Sequence, residues 1–169
     1  MKFGKGDDGF TDLLGGMRVR KDDQYIDLIG EMDELSAWIG VVRSVVHDAA
    51  TKEMLQNVQE HLSMIMAKIS MGHQEKHIDS AAVDSSLQTV EQWIRLLEKE
   101  TTLPRTFIQP GEKRDGSLMN MLRVVTRRVE RRAIATLSSG EQAHSSVTVY
   151  LNRLSTLFYL LWLKIEHST

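Results

Sequence analysis

Residues 24–46, "QYIDLIGEMDELSAWIGVVRSVV", set Tyr25, Leu28, Met32, Leu35, Ile39, Val42 and Val46 at successive steps of three and four. That spacing draws one apolar stripe along an α-helix and cannot alternate across a strand. Asp22 and Asp23 precede it, a pair suited to capping free N–H groups at a helix start. The same period returns at Leu55, Val58, Leu62, Ile65 and Ile69, and at Val83, Leu87, Val90, Ile94 and Leu97 behind Asp79 and Ser80. It returns again at Leu118, Leu122, Val125 and Val129, which run towards Ser138, Ser139 and Gly140. The last stripe is Val147, Leu151, Leu154, Phe158, Leu161 and Ile165. Both prolines, Pro104 and Pro110, fall in 101–117 and interrupt the pattern there. No strand signal competes. The expected fold is all-α: one domain over 1–169, with a glycine-rich N-terminal loop (1–23) and a five-helix bundle (24–169).

Bulk properties narrow the function. A net charge of −2 offers nothing global to nucleic acid or to an anionic membrane, so neither is expected as a partner. With no cysteine, thiolate metal sites and cysteine nucleophiles are excluded. No apolar run is long enough to span a bilayer, and a cytoplasmic location is expected.

Three stretches go beyond a generic bundle. "LFYLLWL" (157–163) is apolar almost all round, and such a helix must be covered on every side. Self-association is the expected means. The first helix carries a second stripe of Gly30, Asp33, Ala37 and Gly40, in which a carboxylate among small residues calls for a partner. "LRVVTRRVERR" (122–132) supplies cations: Arg123, Arg127 and Glu130 fall within about 60° of one another, with Arg131 adjacent and Arg128 and Arg132 opposite. A solvated basic face is one reading. A seat for polyphosphate is the other, because guanidinium forks neutralise phosphate oxygens two at a time.

The N-terminal "FGKGDDGFTD" (3–12) has G-x-G-x-x-G at Gly4, Gly6 and Gly9. The dinucleotide fingerprint needs a strand before it and a helix after it, and three residues cannot supply that strand. "HQEKH" sets His73 and His77 four apart without a third metal ligand, and Glu141 with His144 makes a single E-x-x-H where a di-iron bundle needs two.

Taken in order, "GDDGFTDLLGG", "IGEMDELSAWIG", "FIQPG", "LRVVTRRVERR" and "YLNRLS" resemble the successive motifs of PduO-type ATP:cob(I)alamin adenosyltransferases. The resemblance implies a homotrimer with active sites between subunits. It also implies transfer of the 5′-deoxyadenosyl group of ATP to the cobalt of reduced cobalamin, with release of triphosphate. Phe3, Gly4, Lys5 and Gly6 would line ATP mainly through their backbone, with Thr11 and Asp12 beside the nucleotide and Lys21 on a phosphate. Arg127, Arg128, Val129, Glu130 and Arg131 match the ATP-contact segment, and Asn152 a nucleotide-binding asparagine. Asp33 and Arg123 match an intersubunit ion pair on the cobalamin side. Phe107 matches the aromatic beneath the corrin that keeps the lower axial ligand from cobalt. The family's chemistry further implies Mg²⁺ and a corrinoid reductase or adenosylcobalamin-dependent enzyme as partners.

The pattern also departs from the family. Phe3 and Lys5 stand where threonines are usual, Glu112 follows Pro-Gly in place of a second glycine, and Thr156 replaces the usual aspartate. These departures set a second possibility beside the enzyme: a non-catalytic ATP- or adenosylcobalamin-binding trimer, acting as a sensor or cofactor escort.

Overall fold

The structure is a computed structural model that describes residues 4, 6–14, 16–72, 81–106, 108–137 and 145–167. Five helices carry it: α1 (Gln24–Val45), α2 (Ala49–Gly72), α3 (Ala81–Glu100), α4 (Arg114–Leu137) and α5 (Ser146–His167). Ahead of them, β1 (Phe10–Asp12) pairs antiparallel with β2 (Arg18–Arg20), Thr11 lying opposite Val19. The hairpin corrects the expectation of a strandless N-terminus. Its strands are three residues long, too short for alternation to register in the sequence.

Local chemistry sets the helix ends. Asp23 caps α1, its carboxylate accepting from the Tyr25 N–H at 2.8 Å. Asp48 does the same ahead of α2, accepting from the Thr51 N–H at 2.9 Å and its hydroxyl at 2.6 Å. Helix α4 begins at Arg114, inside the stretch expected to be irregular, with Asp115 in its first turn where the helix dipole favours an anion. Asp79, Ser80, Ser138, Ser139 and Gly140, expected to bound α3 and α4, lie outside the described residues.

Helix α5 is the centre. It packs on α4 along one side and α3 along another; α4 in turn packs on α1, and α1 on α2. Leu157, Phe158, Leu160, Leu161, Trp162 and Leu163 are at most 4% exposed within this single chain. The covering that "LFYLLWL" demands is thus met by the chain's own helices, which corrects the inference that this run needs a second copy. Tyr159 alone of the seven is only half-buried. Among the described residues, no helix is long and apolar enough to cross a membrane.

One polar cluster sits inside the bundle. His61 of α2 stacks on Trp93 of α3 with ring centroids 6.3 Å apart, and its Nδ1 lies 3.2 Å from the hydroxyl of fully buried Tyr150 on α5. Burial pushes the imidazole below its ordinary 6.5, against a smaller opposing pull from Glu60. Stability drawn from the neutral ring is therefore complete above that value and is lost as pH falls through the depressed one. Urea unfolding between about pH 7.5 and 5.5 should show a declining midpoint, and His61→Gln should flatten that decline.

Candidate functional site

The N-terminal loop is built to expose backbone. Gly4 and Gly9 hold φ of +81° and +82°, a region costly for any residue with a Cβ. The Asp7 N–H donates to the Gly4 carbonyl at 3.2 Å, the Gly9 N–H to Gly6 at 3.3 Å, and the Lys21 N–H to Gly9 at 2.9 Å. The Lys21 ammonium rests over Gly6, where a Cβ would stand 3.0 Å from Nζ. Gly6 and Lys21 are thus brought together, with Gly4 in the same loop. Thr11 and Asp12 lie on β1, and Asp12 is 3.8 Å from Arg18, which also pairs with Asp8. Phe3 and Lys5 lie outside the described residues.

Helix α4 divides the arginine-rich segment between two faces. Towards α1, Arg128 donates to Glu34 at 2.6 Å and Arg132 to Glu31 at 3.1 Å, with Asp27 at 3.9 Å from Arg132. The Arg128 hydrogen bond holds the Glu34 carboxyl below its ordinary value. Val129 is fully buried and anchors the segment from within the core. The other face has no such neutralisation. Arg127 and Arg131 are exposed and make no hydrogen bond or ion pair among the described residues, and Arg123 donates only to the Asn120 side chain, at 2.9 Å. Burial, and after it the like charge of Arg127, pushes the Arg123 guanidinium below its ordinary value. Beside these cations, Glu130 accepts from Asn152 of α5 at 2.9 Å.

Two adjoining clefts lie along this α4–α5 groove. Arg123, Arg127, Ser155, Thr156 and Tyr159 line one of about 200 Å³, with two guanidiniums and no carboxylate. Thr106, Ile108, Pro110, Asn120, Arg123, Tyr159 and Trp162 line the other, of about 160 Å³ and with mixed polar and apolar walls. Arg123 and Tyr159 belong to both. The pair suits an anionic group set beside a flat one with both polar and apolar edges. Phe107 lies outside the described residues, but its chain neighbours Thr106 and Ile108 line this second cleft. A wider cleft, about 430 Å³, at Glu100, Thr101 and Lys164 is less suited to an anion, because Lys164 already lies 4.0 Å from both Asp48 and Glu100.

Asp33 does not meet Arg123 within the chain. It is exposed on the outer side of α1 with Gly30 and Ala37, while Glu31 and Glu34 make the seam to α4. Water solvates it there, so the premise that this carboxylate needs a partner does not hold for one chain. The end of the loop is tied to α2, the Leu14 N–H donating to Ser70 at 2.8 Å. Among the described residues no group of three side chains could hold a metal ion, and His73, His77, Glu141 and His144 lie outside them. Tyr159, Trp162, Asn120 and Ser155 were not singled out from sequence. For Tyr159 the signal was present, as a polar-tipped residue within an apolar run.

The two faces of α4 should respond differently to truncation. Arg128→Ala should cost at most about 1 kcal/mol in urea unfolding, since its ion pairs are half-exposed. Arg127→Ala should cost nothing, because the charge felt by its neighbour Arg123 is repulsive.

The sequence profile of the cobalamin adenosyltransferase family matches residues 1–165. The chain is 33% identical over 159 residues to a corrinoid adenosyltransferase of Bacillus subtilis, covering 91% of this chain and 80% of that protein. It is 29% identical over 168 residues to one from Citrobacter freundii, covering 97% and 93%. Among solved structures, a single-residue variant of a PduO-type ATP:corrinoid adenosyltransferase from Lactobacillus reuteri, complexed with cobalamin and ATP, superposes with a TM-score of 0.85. That match has 25% identity and covers 99% of this chain and 91% of the other.

Proposed function

The chain belongs to the cobalamin adenosyltransferase family, and from that premise we propose how its own residues carry the reaction. It is an ATP:corrinoid adenosyltransferase, transferring the 5′-deoxyadenosyl group of ATP to cob(I)alamin and releasing triphosphate. The cobalt(I) electron pair forms the new bond to C5′ as the C5′–O bond breaks, and the leaving electron pair departs with the triphosphate. No protein nucleophile is needed. The protein's share is alignment and stabilisation of the departing charge.

The observation that carries the assignment of roles is the cleft with Arg123 and Arg127 and no carboxylate. Arg127 and Lys21 neutralise the triphosphate, and the N–H groups of the loop at Gly4 and Gly6 serve as further donors. Asn152 and Glu130 hold the nucleotide, with Arg131 at the margin of the site. Arg128 supports the segment through its bonds to α1. The corrin takes the side of the adjoining cleft, with Phe107 beneath it. Mg²⁺ bound through ATP phosphates needs only one or two protein oxygens, and Glu130 is the carboxylate nearest to hand beside Asn152. The ion would add charge neutralisation on the leaving group.

We further propose a homotrimer with the site between copies. The exposed stripe of Gly30, Asp33 and Ala37 on α1 supports this. In such an assembly Asp33 of one copy can reach Arg123 of the next. A cytoplasmic location and a corrinoid reductase as partner fit the need for reduced substrate.

Under anaerobic reduction, ATP and cobalamin with the protein should give a light-sensitive Co–C bond, followed by absorbance. Arg127→Ala should lower kcat by about 100-fold or more with the native mass unchanged. ATP binding with unalkylated cobalamin persisting would instead mark a non-catalytic binder.

A further inference from the structure

We propose that Arg153 is a positioning residue for adenosyl transfer: braced on α3 by Glu91, it fixes the Asn152 amide in the orientation the nucleotide meets. The inference rests on the reading of Asn152 as a nucleotide contact. An asparagine amide has two nearly isosteric orientations, one presenting NH₂ and the other C=O at a given point, and its last torsion is soft. Here both neighbours select the same one. Asn152 Nδ2 donates to Glu130 Oε1 at 2.9 Å, and its Oδ1 accepts from Arg153 Nη1 at 3.0 Å. Turning the amide over would set oxygen against carboxylate and NH₂ against guanidinium. Both hydrogen bonds would give way to repulsion. In the selected orientation the amide has a second N–H beyond the one given to Glu130, and that N–H can serve a nucleotide acceptor.

Arg153 is itself held. Its Nε donates to Glu91 Oε1 at 3.2 Å, and the other Glu91 oxygen lies 3.9 Å from Arg95. One guanidinium therefore uses two different edges, Nε towards α3 and Nη1 towards Asn152. The line Glu130, Asn152, Arg153, Glu91 crosses α4, α5 and α3, and so couples to the site a helix that otherwise contributes nothing to it. Lysine can make either contact but not the fork that makes both. Arg153 and Glu91 are 43% and 33% exposed, so the pair adds little to stability and its removal should not unfold the chain. The consequence falls on nucleotide binding, because the amide then keeps only its bond to Glu130 and its soft last torsion is held at one end alone.

The test is steady-state kinetics of the full enzyme with ATP varied at saturating reduced cobalamin, alongside thermal melts. Arg153→Met should raise KM for ATP about five- to tenfold, the worth of one oriented hydrogen bond. The kcat, the corrinoid KM and the melting temperature should stay close to wild type. Arg153→Lys should fall between. In an Asn152→Ala background, Arg153→Met should add no further change, since the group it positions is gone. An unchanged KM for ATP in Arg153→Met, or an equal rise in both backgrounds, overturns the proposal. If Asn152→Ala itself leaves KM for ATP unaltered, the reading of Asn152 as a nucleotide contact fails, and the positioning role falls with it.

Discussion

A helix with apolar side chains around its whole circumference has to be surrounded, and α5 meets that condition between α3 and α4. Everything at the site follows from this burial. With Leu157, Phe158 and Leu160 to Leu163 sealed, α5 has one polar edge along its α4 side, and Asn152, Thr156 and Tyr159 lie on it. Helix α4 is held beside that edge by Val125, Val129 and Ala133 in the core. The groove between the two helices is therefore anchored from the core on both sides, and alignment of the substrates on the proposed roles draws on that.

Charge is partitioned along the same lines. Arg128 and Arg132 are answered by Glu34, Glu31 and Asp27 across the α1 seam, so that half of the basic segment serves the fold. Arg123, Arg127 and Arg131 face away and make no ion pair among the described residues, and Arg123 is held below its ordinary value by burial and by Arg127. Leaving like charges together has an electrostatic cost that an anionic ligand removes. On the proposed roles, a departing triphosphate, whose charge grows as the C5′–O bond breaks, is stabilised more by such a face than intact ATP is.

Much of this was legible in the sequence. The three-and-four spacing marked out five helices, and about 100° per residue separated Arg127 from Arg128 correctly. Other features were hidden for physical reasons. Three-residue strands leave no period, and the polar first turn of α4 carries no apolar stripe. Exposure was the harder matter: periodicity cannot tell whether "LFYLLWL" is covered by its own chain or a neighbour, nor whether Asp33 is buried or solvated. Tyr159 and Arg153 depend on which helices flank α5, and one helix's sequence does not contain that.

The central claim is that the glycine loop of one copy and the arginine face of another make one site. Mixing two inactive variants, Lys21→Ala and Arg127→Ala, and letting subunits exchange measures it directly. An intersubunit site predicts recovered Co–C bond formation, with about one site in four carrying both native halves under random exchange. No recovery from exchanged assemblies, each variant remaining inactive in the mixture, would contradict the account and put both halves in a single chain.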